Sequence, residues 1–419
     1  MIKQRTIDKV IIIIMSTTLL LLTGCWDQQA MDQRAYVLGI GLDKTDIEGI
    51  IKVTYIISNP EAGSTQQGGG TEEPTHEIVT FNAPNFIHSQ NIANAVIAKS
   101  VTYDILDYFV VSEELAKDKN FIRWIYDATK DRDIRRDTRI IVSKEKASEF
   151  INNNKPRLET RKHEYFELMF KDASEIGLIP NSTILNFFRI TEADADLFIT
   201  PYASTEKDDD TAKINTDTEL RAGNLKISGK TNTTQFLGSA IFKEGKMIGT
   251  LTVEETRVTQ LLNAAMKKSS FLASLPDPFM EESWITARYT QQKKPKFNID
   301  VTHKSPKINV QLSLFVEVLS NHSMVNYEKK ENREVLRKHI IKRLEGISTK
   351  LVKRTQEEFK GQPFGLSIPA RKHFLTIPQW EEYDWMNSYP DAEVEIVADI
   401  TFGEFGRQGK LPSFEEVRD

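Results

Sequence analysis

The sequence predicts an α+β protein of more than one domain, with mixed and antiparallel sheets and helices packed on them. Three observations carry this. Short runs rich in β-branched and aromatic residues alternate with period two, most cleanly over 308–318 (INVQLSLFVEV). One long amphipathic stretch, 328 to about 360, sets Leu336, Ile340, Leu344, Ile347 and Leu351 on a single stripe. A closing run over 393–402 alternates again, so the order strand, long helix, strand suggests a helix laid across an antiparallel sheet. With 419 residues, 39% hydrophobic and 27% charged, the chain has apolar material for real cores and the length of two or three domains.

At the N-terminus, Lys3, Arg5 and Lys9 precede an apolar run over 10–22. Thirteen helical residues reach about 20 Å, short of the roughly 30 Å hydrocarbon core, so the pattern is that of an export signal rather than a permanent span. Leu22-Thr23-Gly24-Cys25 then reads L-x-G-C, a lipobox. The small residues admit a peptidase, cleavage falls between Gly24 and Cys25, and the thiol is the nucleophile that is acylated. The chain has one cysteine, and it stands at this position. Removing residues 1–24 takes away three bases and one acid and moves the net charge from −5 to −7. Cys25 is therefore expected to carry S-diacylglycerol and an N-acyl group; two or more chains anchor stably where one binds only marginally. An uncleaved signal anchor with a chance cysteine is the alternative.

Along the mature chain, 35–43 (AYVLGIGLD) reads as a buried strand ending in a Gly-assisted turn, 52–58 as a second strand and 76–81 as its return across a polar loop. A helix over 85–100, a strand at 108–111, a helix capped by Ser112, a helix over 121–129, a strand at 139–143 and a short helix at 147–152 follow. Residues 158–200 lean helical, with Tyr165, Phe166, Met169 and Phe170 on one face. The charged stretch 202–218 marks a boundary. Strands are expected at 224–230, 235–242 and 247–253, a helix at 260–268, and strands at 283–289 and 297–302. The expected organisation is a signal peptide (1–24), an N-terminal mixed α/β domain (25–201), a polar linker (202–222), a β-rich middle domain (223–305), a C-terminal domain with the long helix (306–410) and a tail (411–419).

Chemistry-bearing motifs are sparse. A lone cysteine excludes an intrachain disulfide and a thiolate zinc site. The seven histidines form no H-E-x-x-H, and neither a G-x-S-x-G elbow nor a P-loop occurs. Gly39-Ile40-Gly41 lacks the third glycine of a dinucleotide fingerprint, with Asp43 where a phosphate needs backbone donors. Asp208-Asp209-Asp210 lacks the spacing of a calcium loop. The run 130–139 (KDRDIRRDTR) interleaves acids with bases and reads as surface ion pairs or a partner-facing patch rather than a nucleic-acid site. The basic faces of the long helix read as solvated, with anionic lipid headgroups as the alternative. No catalytic residue, cofactor or metal is expected.

Several strings now fall in order: Cys25-Trp26-Asp27 directly on the lipobox, 34–43 (RAYVLGIGLD), 111–116 (VSEELA), 130–135 (KDRDIR), 237–243 (LGSAIFK) with 247–249 (MIG), Glu254-Glu255-Thr256, and the late Trp380 and Trp385. Together they resemble the Ger(x)C lipoproteins, the C subunits of nutrient germinant receptors in endospore-forming bacteria, over essentially the whole mature chain. Lys130 and Asp133 stand where that family usually has Arg and Glu. The resemblance implies a non-enzymatic subunit of three mixed α/β domains, held by its acyl group on the outer leaflet of the spore inner membrane. It implies work with membrane-embedded A and B subunits, and no small-molecule ligand for this subunit. It also points to Trp26, Asp27 and Arg135 as candidate functional positions beside Cys25. A solute-binding lipoprotein of an uptake system and an exported, membrane-tethered enzyme are the competing readings.

Overall fold

Strands covered on both sides read as continuous apolar runs, and such runs build the centre of the first sheet. The computed structural model describes residues 15–16, 33–58, 76–206, 218–264 and 270–405. The sheet begins with β1 (Arg34–Lys44), β2 (Ile51–Ser58), β3 (His76–Ala83) and the short β4 (Ser100–Thr102), which pairs with the start of β1. β5 (Tyr108–Ser112), β6 (Arg139–Ser143) and β7 (Phe198–Ser204) then line up parallel to β1. Antiparallel strands flank this centre, β2 and β3 on one side, β8 (Gln235–Lys243) and β9 (Lys246–Leu251) on the other. The order is β3-β2-β1-β5-β6-β7-β8-β9.

Helices α1 (Phe86–Val96), α2 (Glu113–Ala116) and α3 (Phe121–Ala128) cover one face, α4 (Ala147–Asn153) and α5 (Lys162–Glu175) the other, and α6 (Ile184–Ala193) returns to the first. Their starts follow local chemistry: Asn85, Ser112 and Thr183 each accept a backbone N–H from the first helical turn. Ser112 is the cap expected from sequence. On the first face the rings of Phe121, Phe187, Phe198 and Phe242 meet at centroid distances of 5.2–5.9 Å, mostly edge-to-face.

Four expectations change here. Gly39 and Gly41 lie within β1 rather than in a turn. A Cβ on Gly39 would come 2.2 Å from the Tyr108 ring, and one on Gly41 2.7 Å from Ile151, so the glycines admit helices and rings that press on the strand. Residues 198–204, assigned in part to a linker, form the buried β7, because Thr200 donates to the Ile140 carbonyl of β6, Ser204 to the buried Glu145 carboxylate just beyond that strand, and Pro201 sits at a register shift. Residues 224–230 form no strand; the Gln235 side chain takes the place of a neighbour, accepting from Gly223 and Leu225 N–H at 2.9 and 3.2 Å and donating to the Leu225 carbonyl at 3.1 Å. The helix expected at 260–268 is instead α7 (Val253–Leu262), started by a capping box in which Thr252 and Glu255 exchange backbone hydrogen bonds.

The second sheet contains β10 (Ser270–Pro276), β11 (Trp284–Gln291), β12 (Lys296–Asp300), β13 (Lys307–Asn321) and β14 (Glu393–Phe402). β11 and β12 pair in succession along one side of β13, and β14 takes the other. β14 is parallel to β13, so the sheet is mixed rather than antiparallel. The 28-residue α8 (Lys330–Glu357) supplies the crossover that a parallel pair needs. Of its predicted stripe, Leu336, Ile340 and Leu351 are buried and Leu344 and Ile347 partly so. The small helices α9 (Ser367–Arg371), α10 (Ile377–Tyr383) and α11 (Trp385–Ser388) complete the chain before β14. Segment 223–305, expected as one β-rich domain, contributes β8 and β9 to the first sheet and β10–β12 to the second.

Candidate functional site at the junction of the two sheets

One apolar cluster is shared by both sheets. Leu197 and Ile199 at β7, Ile241 of β8, Leu251 of β9, and Val258 and Leu262 of α7 pack with Ile299, Val310, Leu351, Val352, Phe359 and Trp385 of the second unit. α7 is the wedge between them, with eight of its ten residues buried. Close approach is built in: a Cβ on Gly249 would lie 2.8 Å from the Phe359 ring, and one on Gly361 2.8 Å from the Met386 sulfur.

Charged groups frame this core. Glu255 accepts from Arg354 Nη1 at 2.8 Å on both carboxylate oxygens, and Arg354 Nε reaches Glu358 at 2.7 Å. Burial works against the Arg354 charge, but the hydrogen bonds it donates to Glu358 and Glu255 outweigh it and hold the guanidinium above its ordinary range. Glu254 pairs with Arg343 at 2.9 Å, and Thr256 shares a 2.7 Å hydroxyl bond with Ser239 of β8. On the far side of the junction Asp196, whose carboxyl is raised by burial, accepts from Gln362 Nε2 and from both the backbone N–H and hydroxyl of Ser367. Leu197 N–H donates to the Gln362 carbonyl at 2.8 Å. The long helix thus turns three arginines inward rather than leaving all its bases to solvent: Arg343, Arg354, and Arg337, which bonds the Ile400 carbonyl and lies 5.3 Å over the Phe402 ring. Lys329, Lys342, Lys350 and Lys353 remain exposed.

Several of the strings singled out in the sequence meet here. Residues 237–243, Met247–Gly249, Glu254–Thr256 and Trp385 all border the junction, and Trp380 stacks on Trp385 at 6.0 Å. Other candidates lie elsewhere. Gly24, Cys25, Trp26, Asp27 and the 208–210 aspartates fall outside the described residues. Arg135 is exposed and pairs with Asp137, part of a charged run in which Lys130 pairs with Asp127 and Arg139 with Asp107. Asp43 does not leave an anion site open: its carboxylate accepts from the Ala147 and Ser148 N–H groups at 2.6 and 2.9 Å and so fills the N-terminus of α4 itself. The inward arginines were not foreseen; the signal was Glu254-Glu255 at the start of a capped helix, which needs cations opposite once buried.

Two open clefts flank the framework. One of about 860 Å³ lies between Asp300–Lys304 and α10, where Asp300 is held below the usual carboxylate range by the N–H and hydroxyl of Thr302. Another of about 980 Å³ lies beside the β1–β2 turn. Among the described residues no helix is long and apolar enough to cross a membrane, and no cluster of metal-ligating side chains occurs.

Residues 27–205 match the family described as spore germination protein N-terminal domain, and residues 237–406 match spore germination B3/GerAC like, C-terminal. The chain is similar to the putative spore germination protein YfkR of Bacillus subtilis, at 21% identity over 92% of this chain and 94% of that protein. Spore germination protein GerQC of Bacillus cereus is 24% identical over 43% of this chain and 48% of its own length, and spore germination protein A3 of B. subtilis 32% identical over 28% and 34%. The crystal structure of the GerBC protein superposes with a TM-score of 0.51 at 15% identity, covering 87% of this chain and 97% of that one, which shows a shared multidomain fold. The sequence strings, the two-sheet framework and both domain matches agree, and the chain belongs to the Ger(x)C family of spore germination proteins.

Proposed function

We propose that this protein is the lipid-anchored, non-enzymatic C subunit of a spore nutrient germinant receptor. It is held at the outer leaflet of the spore inner membrane by acylated Cys25, and it scaffolds the A and B subunits or transmits their conformational change. Family membership over both domains supports the receptor role, and the lipobox supports the anchor. The observation that carries the mechanical part is the shared core. A domain pair joined through α7, Glu255–Arg354 and Asp196–Ser367 moves as one body, so displacement at one sheet reaches the other. Two-lobed solute binders place a ligand cleft between separate lobes; here the two sheets share one apolar core, with a cleft of about 410 Å³ at its edge beside Asp196, Ser367 and Trp380. The division into an N-terminal domain, linker, middle domain and C-terminal domain belongs to the same proposal, with the strand sharing described above.

The test is Cys25→Ala at the native locus. Dipicolinate release after nutrient addition is expected to fail and the protein to leave the membrane fraction, while a receptor-independent trigger still germinates the spores. A normal nutrient response in a full deletion would sink the germination role.

A further inference from the structure

We infer that the end of the first sheet where β1 begins lies against the bilayer, with the segments preceding β4 and β6 contacting anionic lipid headgroups. This rests on the anchor proposed at Cys25 and adds which surface the anchor presents. Nine Cα steps separate Cys25 from Arg34, which caps their separation at about 30 Å. β1 then runs from Arg34 to Lys44, carrying the chain roughly 33 Å further at strand rise. The tether therefore brings one end of the sheet to the membrane and holds the other away from it.

The chemistry of that end suits an interface. Ser100 pairs with Arg34, which puts Val96 and Lys99 just beyond the start of β1. Ile105 lies in the β4–β5 connection, whose Leu106 carbonyl accepts from Thr138 at 3.2 Å, and Arg136 gives its carbonyl to the Leu185 N–H at 3.1 Å. These contacts join the three loops into one surface. Val96, Ile105 and Leu185 are 68%, 38% and 49% exposed, large apolar side chains set among cations. Arg34 and Arg135 are paired with Asp104 and Asp137, whereas Arg132 and Arg136 are exposed and have no ion pair among the described residues. Besides the paired Asp137, the acids of the same loop are Asp131, which accepts the Asp133 N–H at 2.9 Å, and Asp133 itself. Cations within a Debye length of an anionic leaflet are attracted to it, and the short tether keeps them there.

The native sequence has one thiol, which the anchor consumes, so Ile105→Cys or Ile47→Cys each adds a single reactive site to the lipidated chain. Ile47, in the turn after β1, is 60% exposed and marks the far end. Each variant is labelled with a fluorophore and reconstituted into vesicles of phosphatidylcholine and phosphatidylglycerol containing a nitroxide-headgroup lipid. The expected result is loss of fluorescence at position 105 and none at 47. Reversing Arg132 and Arg136 to Glu is expected to restore the signal at 105 while the protein still floats with the vesicles. Flotation with equal or no quenching at the two positions overturns the inference alone. Failure to float removes the anchor reading and the inference with it.

Discussion

The first sheet is packed on both faces and the second on one. Around β1, β5 and β6 almost every side chain is buried, helices press from either side, and glycine is required where Tyr108 and Ile151 touch the strand. In the second sheet the even-numbered residues of β13 face α8 and the odd-numbered ones face outward, so half of each strand is free to vary without disturbing a core. The contrast separates two jobs: a doubly covered sheet fixes geometry, and a singly covered one leaves surface available.

Four substitutions sharpen that contrast. Phe242→Ala removes a ring that meets Phe121, Phe187 and Phe198, and the expected cost is about 3–5 kcal/mol in denaturant unfolding. At the junction, Glu255→Ala deletes both the return half of the capping box and the Arg354 partner, for about 1–3 kcal/mol. Its signature in thermal unfolding is a transition that splits in two, since the change loosens the joint between the sheets; a single unshifted transition would show that the ion pair does not couple them.

Lys162, at the start of α5, gives a pH test of the doubly covered sheet. Burial lowers its ammonium from 10.5 to about 8, and its Nζ donates to the Asn154 carbonyl. Between those two values the unfolded chain binds more protons than the folded one, so this group makes stability rise as pH climbs from about 8 to 10.5. Below that window the penalty is fully present. Lys162→Met is expected to abolish the rise, read as urea midpoints on either side of the window. The smallest effect belongs to the outer face of the second sheet: Val397, 47% exposed on β14, is expected to tolerate Thr within about 0.5 kcal/mol by the same measurement.

The contrast also explains what was legible in the sequence. α8 and β13 each show one apolar face, so periodicity alone placed them and named the stripe from Leu336 to Leu351. β7 was missed because a strand held between two others can bury Thr200, Pro201 and Ser204, and its sequence carries no alternation. The junction was visible only as isolated strings. That Glu255 faces Arg354, 99 residues away, is a tertiary fact with no local signal, while the Thr252–Glu255 capping box was a local signal that went unread. The parallel placement of β14 likewise follows from where the long helix returns the chain.

Asp196 and Ser367 are 171 residues apart in sequence, and Asp196 and Gln362 are 166 apart. The loop that such pairing closes is far longer than any hairpin in either sheet, and closure entropy grows with loop length. Contacts of this separation are expected to form late, after the local hairpins and helix pairs that feed them. The joint between the sheets is then the last part of the chain to assemble, and the interval before it closes is when the apolar side chains of the shared core are most open to misassembly.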